Sequence, residues 1–193
     1  EELEFCSGRA SDPTPDKNFE QHRETGTVAD FVERIDLRHD SGNDTYLIAH
    51  NHALDNSALR ALLDDIIVPD FMDPVHGRGS ASLWIGPAGT RTPMHHDTCN
   101  ILFSQIVGRK RFRLLDPLCS EVLENLDGFY AQLDEESYAS LAVKEVVLEP
   151  GMTLFLPAGW WHDVAALEFS MSISLLRFQR RIELSWYTPG QVE

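Results

Sequence analysis

Cysteine is scarce in this chain of 193 residues, whose three thiols are Cys6, Cys99 and Cys119. An odd count with no CxxC pair argues against a disulfide framework and a cysteine zinc site, and suits a reducing cytoplasm. Long apolar runs are missing too. No stretch reaches the roughly 18 consecutive apolar residues that a spanning helix needs, so no membrane segment is expected. The opening residues, EELEF, carry neither an initiator Met nor an apolar signal core. Positive charge is also short: 16 Lys and Arg stand against 31 Asp and Glu, a formal net charge of −15. Nucleic acid demands clustered cations and is a poor partner for such a chain, whereas a basic peptide would be drawn towards it. Internal repeats, low-complexity tracts and linker-like breaks are absent as well. No GxGxxG or Walker pattern precedes a helix, so Gly86, Gly89 and Gly108 read as turn residues and not as a phosphate cradle. One domain over 1–193 is the simplest organisation.

What is present changes character near Ser80. Upstream, Leu3–Cys6 reads as a short strand, 8–26 as a long polar loop, and Tyr46–Ala49 as another strand. Val28, Phe31, Val32 and Ile35 fall at the i, i+3, i+4, i+7 spacing of an amphipathic helix, with Thr27 as its N-cap. Leu59, Leu62, Leu63 and Ile66 repeat that stripe. From 80 to 178 short apolar runs alternate with turn signals, which points to a sandwich or barrel of many strands. Helical inserts are expected at Pro117–Leu126 and Asp134–Leu141, and 179–193 forms a C-terminal tail.

The chemistry concentrates in TPMHHDTCN (92–100). On a strand, side chains alternate faces, so His95 and Asp97 share one side and His96 takes the other. A His and a carboxylate so placed need one more neutral imidazole to form a 2-His-1-carboxylate face with open positions, the arrangement of non-haem Fe(II) oxygenases. His162, in PAGWWHDV (157–164), is the candidate third ligand. A second i, i+2 pair, His50 and His52, has no matching third ligand and reads as ordinary polar surface. Trp160 and Trp161 read as packing around the mouth of the barrel.

The runs TPMHHDTCNILFSQIVGRKRFRLLDP (92–117), LEPGMTLFLPAGWWHDV (148–164) and SMSISLLRF (170–178) resemble the JmjC hydroxylase family. The likeness extends upstream through DFVERI (30–35), YLIAHN (46–51) and SLWIGPAGT (82–90), so it covers nearly the whole chain. In pattern the chain is similar to the small protein hydroxylases, such as the asparaginyl hydroxylase that inhibits hypoxia-inducible factor. The resemblance implies a mainly β fold with flanking helices, a double-stranded β-helix (jelly-roll or cupin) barrel. It also implies Fe(II), held by His95, Asp97 and His162, and 2-oxoglutarate as cosubstrate. Lys110 and Thr92 match the residues that bind the cosubstrate's distal carboxylate, with Tyr46 assisting. Asn100 would orient the metal-side carboxylate, although relatives often place that Asn one position later. Trp84 matches an aromatic wall. Leu176 and Phe178 depart from the pattern, standing where relatives carry an Asn and a Trp.

The implied function is hydroxylation of a side chain in a protein or peptide substrate. A tailoring oxygenase for a small molecule or ribosomal peptide, or a non-catalytic metal-binding cupin, are the alternatives. The absence of a reader domain or zinc module beside the core argues for hydroxylation over N-methyl-lysine demethylation. Relatives often form homodimers through C-terminal helices, for which the tail here is short.

Overall fold

The sequence Ser170-Met171-Ser172-Ile173-Ser174-Leu175 alternates polar and apolar residues as a half-buried strand should, but with its polarity reversed. A computed structural model, describing residues 2–35, 42–48, 52–123, 129–131 and 133–180, explains why. The apolar row packs outward under a covering layer, and the serines point into the space between two sheets, where Trp84 Nε1 donates to Ser174 Oγ at 2.9 Å and Ser172 Oγ to Gln105 Oε1 at 2.8 Å.

The elements run in chain order as β1 (Leu3–Cys6), α1 (Phe19–His22), β2 (Arg23–Gly26) and α2 (Val28–Arg34), then β3 (Ser82–Gly86), β4 (Arg91–His95), β5 (Ile101–Val107) and β6 (Lys110–Leu115), then α3 (Glu135–Ser140), β7 (Lys144–Leu148), β8 (Thr153–Leu156), β9 (Trp161–Ala166) and β10 (Ser170–Leu175). Two four-stranded antiparallel sheets, in the orders β3-β10-β5-β8 and β4-β9-β6-β7, make a jelly roll. They face each other as a sandwich, so the expected barrel is not closed by continuous hydrogen bonding. Phe103 and Leu156 from one sheet meet Phe112, Leu148 and Val164 from the other, and this cluster forms the floor of the interior.

Both outer faces are covered. Leu83, Leu102 and Leu175 pack under an N-terminal layer containing Leu3, Phe5, Phe31, Ile35 and Leu47. Met94, Leu115 and Trp161 pack under the insert between β6 and β7, with Leu123 and Ala131 buried against them. The α2 helix forms as its sequence dictates: Thr27 and Asp30 make a capping box, and Phe31 and Ile35 are buried, while Val32 faces solvent.

Several segments differ from expectation. Residues 8–26 are not all loop, because β2 pairs with β1 and α1 precedes it; four polar residues, Arg23-Glu24-Thr25-Gly26, give no alternation to reveal a strand. The stripe at 59–66 forms a 3-10 helix, Arg60–Asp65, and the first insert forms another at Pro117–Val122. Tyr46 and Leu47 make isolated bridges to Cys6 and Ile85 in place of a full strand. Ala49, 124–128 and most of the tail lie outside the described residues. No helix among the described residues is long and apolar enough to cross a membrane.

One glycine carries the site. Gly108 has φ +67°, and a Cβ there would sit 2.0 Å from the Phe169 carbonyl oxygen. It makes the turn that delivers Lys110 into the interior two residues later. Gly108→Ala should destabilise the protein by about 2–3 kcal/mol, read by chemical denaturation, because both a left-handed φ and a backbone clash must be relieved.

Candidate metal centre

His95 and His162 are direct cross-strand partners on β4 and β9. That register brings their ring centroids to 4.2 Å, as expected for side chains paired on one face of an antiparallel ladder. Each Nδ1 sits against a backbone carbonyl, Pro93 O at 2.7 Å for His95 and Trp160 O at 3.0 Å for His162. An N–H donated there leaves Nε2 as an unprotonated lone-pair donor, the tautomer a metal requires. The Asp97 carboxylate approaches both, with Oδ2 3.8 Å from His95 Nε2 and 3.5 Å from His162 Nε2. The three candidate ligand atoms lie within 4.8 Å of one another. Burial, reinforced by neighbouring His95, pushes the His162 imidazole down to about 4, so it stays neutral and able to ligate at pH 7.

β4 ends at His95, so Asp97 lies beyond the strand and not on it. Its backbone is held by Gly159 N–H, which donates to Asp97 O at 2.8 Å. A register shift between Thr92 and His95 solves a second problem of spacing. Three residues apart on a regular strand, they would face opposite sides; the irregularity lets both line one cavity while Met94 packs outward.

That cavity, of about 490 Å³, is walled by His95, Asp97 and His162 at one part and by Tyr46, Trp84, Thr92 and Phe103 at another. Lys110 stands behind Tyr46, 1% exposed, with Nζ donating to Tyr46 Oη at 3.0 Å. The rings of Tyr46, Trp84 and Phe103 surround the ammonium at 5.3–5.8 Å. It has no carboxylate partner among the described residues, and burial alone pushes it down to about 7. Strand alternation sends Arg111 and Arg113 outward towards Glu145, so the GRKRFR run is not a uniformly solvated edge. Burial also pushes the Tyr46 phenol up, keeping it a protonated donor.

A buried cation lacking an anion fits a dicarboxylate ligand, and two imidazoles beside a carboxylate fit a divalent metal. Trp84 lines the cavity. Asn100 does not line the cavity: its Oδ1 accepts from Ala158 N at 2.9 Å, pinning the loop that leads into β9. Leu176 lines the cavity, whereas Phe178 packs between Phe71 and Phe155 outside it. His96 is buried edge-on against Trp161 on the opposite face of β4. His52 is exposed beside Asp55, and His50 lies outside the described residues.

Three residues with no motif to mark them also reach this region. Tyr130 stacks on His95 at 5.9 Å, Asp16 lines the cavity, and Arg9 pairs with Asp16. They sit on loops, where periodicity is silent.

Facing antiparallel sheets with a His-x-Asp…His cluster between them define a jelly-roll metalloprotein. The chain matches the cupin-like domain family over residues 7–178 and belongs to it. Several of its relatives carry Jumonji or lysine-demethylase names. It is 32% identical over 169 residues to lysine-specific demethylase JMJ30 of Arabidopsis thaliana, covering 79% of this chain and 38% of that protein. It is 31% identical over 167 residues to lysine-specific demethylase 8 of Xenopus tropicalis, covering 77% and 36%. With Jumonji C domain-containing protein 5 of Drosophila melanogaster the figures are 35% over 130 residues, 59% and 32%. The chain thus spans no more than 38% of the length of these relatives. JmjC oxygenases use Fe(II) and 2-oxoglutarate, and the cluster has the form of their facial triad.

Proposed function

We propose that this domain hydroxylates a side chain of a protein or peptide, with His95, Asp97 and His162 holding iron and Lys110, Thr92 and Tyr46 holding the far carboxylate of 2-oxoglutarate. The observation that carries the proposal is the pairing within one cavity system of a three-ligand cluster and a buried lysine without a counter-ion. Iron and cosubstrate, when bound, would let dioxygen serve as the oxidant, one oxygen atom entering succinate as 2-oxoglutarate loses carbon dioxide and the other turning a C–H bond into C–OH. The chain's own residues supply the rest. Backbone carbonyls fix both imidazole tautomers, Lys110 would pair with the far carboxylate, and Trp84, Phe103, Phe112 and Leu156 keep the cavity apolar. A net charge of −15 favours basic segments of a substrate protein.

The relatives' names give weight to a second outcome of the same chemistry. A hydroxyl placed on an N-methyl carbon collapses to formaldehyde and the free amine, so demethylation and hydroxylation differ in product and not in first step. The test is incubation with Fe(II), ascorbate and 2-oxoglutarate, with and without basic peptides. Succinate formation together with a peptide mass gain of one oxygen supports hydroxylation; formaldehyde supports demethylation. Failure of the protein to bind 2-oxoglutarate in the presence of metal would leave only a non-catalytic cupin.

A further inference from the structure

The cosubstrate-binding side chains Thr92 and Tyr46 do not hold themselves in place. Behind them lies Arg9, fully buried at 0% exposure in the segment after β1. Its guanidinium forks onto Asp16, Nη1 to Oδ1 at 3.2 Å and Nη2 to Oδ2 at 3.4 Å. Nη2 also donates to Arg91 O at 2.9 Å, and Arg91 N donates to Asn43 Oδ1 at 2.8 Å. Both backbone groups of Arg91 are therefore anchored immediately before Thr92. The same guanidinium lies 5.5 Å from the centre of the Tyr46 ring, within cation–π range, and Tyr46 Oη carries Lys110. Two contacts of one planar cation, itself held by Asp16, thus bear on the two residues expected to grip the cosubstrate.

Packing alone does not account for this. Arg9 Nε is buried with no hydrogen-bond partner among the described residues. Burying an ion pair with an unsatisfied N–H costs more than an apolar side chain of similar volume would, so stability is a poor reason to keep it. A rigid fork, however, fixes geometry that a Met or Lys would not. We infer that Arg9, with Asp16 as its counter-ion, is a positioning residue that presets Thr92 and Tyr46 for the distal carboxylate of 2-oxoglutarate. Because Asp16 itself walls the cavity, the brace also ties the N-terminal loop to the cosubstrate end.

The inference rests on the cosubstrate reading given above, and one experiment separates the two. The full chain is loaded with Mn(II), which binds without turnover, and titrated with 2-oxoglutarate by calorimetry. Two variants are compared with the parent: Arg9→Lys, which keeps the charge without the fork, and Arg9→Met/Asp16→Asn, which removes both charges together. Each should bind 2-oxoglutarate about tenfold more weakly, the loss expected when a hydrogen bond to a charged group is misplaced, with Mn(II) affinity unchanged. In the iron-loaded protein, KM for 2-oxoglutarate should rise while kcat at saturation holds. The inference is overturned if both variants bind 2-oxoglutarate as the parent does, or if cosubstrate and Mn(II) affinities fall in step. Loss of the fold in the double variant would overturn it as well, since that outcome makes the pair structural. A parent protein that takes Mn(II) but not 2-oxoglutarate would instead sink the cosubstrate reading, and this inference with it.

Discussion

Asp97→Ala should bring succinate production to background while leaving the fold intact. The carboxylate is the one anion in the ligand cluster, and its loss leaves two neutral imidazoles facing a divalent cation. Metal affinity should fall by more than the roughly 10–100-fold that losing a mere supporting partner costs. Stability should barely move. The Asp97 side chain is 38% exposed, and the backbone bond from Gly159 survives the substitution. A change within about 0.5 kcal/mol is expected for such a position. Succinate assay, metal titration and thermal melting on the same preparation make the contrast. Wild-type turnover in the Asp97→Ala protein would refute the metal assignment.

Lys110→Met should weaken 2-oxoglutarate binding by about 100-fold or more, the scale of stripping one partner from a buried charge pair. The parent protein should also show a pH signature that the variant lacks. Burial holds Lys110 near 7 in the free protein, so above that pH it is increasingly neutral. A bound carboxylate favours the charged form and raises the pKa, so binding above pH 7 must take up a proton. The sign follows by linkage: affinity is greatest below about 7 and falls by roughly tenfold per pH unit above it, until the bound-state pKa is reached. Calorimetry in two buffers of different ionisation enthalpy measures the proton uptake directly. Affinity that rises with pH over this range would count against Lys110 as the anion's partner.

The metal ligands could be read from the chain because HxD and a distant His are discrete chemical signals. Their geometry could not. Alternation on a strand would pair His95 with Asp97, yet β4 stops at His95 and a loop pinned by Gly159 completes the approach. Thr92 and His95 share a cavity only through a register shift that no local propensity announces. The strands of the core were legible from their turn residues, whereas β2 was hidden by its uniformly polar sequence. Asn100 is absent from the cavity lining, and its Oδ1 accepts from Ala158 N, a contact that no motif announces. Arg9 and Asp16 show what composition conceals: two charged residues in a polar stretch look solvated until the fold closes over them.

The strand order has a consequence for how the protein matures. β9 lies between β4 and β6, and β10 between β3 and β5, so the last two strands among the described residues are inner ones that join their neighbours. Until the ribosome has delivered both, β3 and β4 have no partner in either sheet, and the emerging chain exposes unpaired edges. Such long-range closure makes for slow assembly and a need for protection meanwhile. Iron loading must wait on it too, because His162 arrives with β9. A nascent chain stopped short of that strand can present the HHD tripeptide, but not a finished seat for the metal.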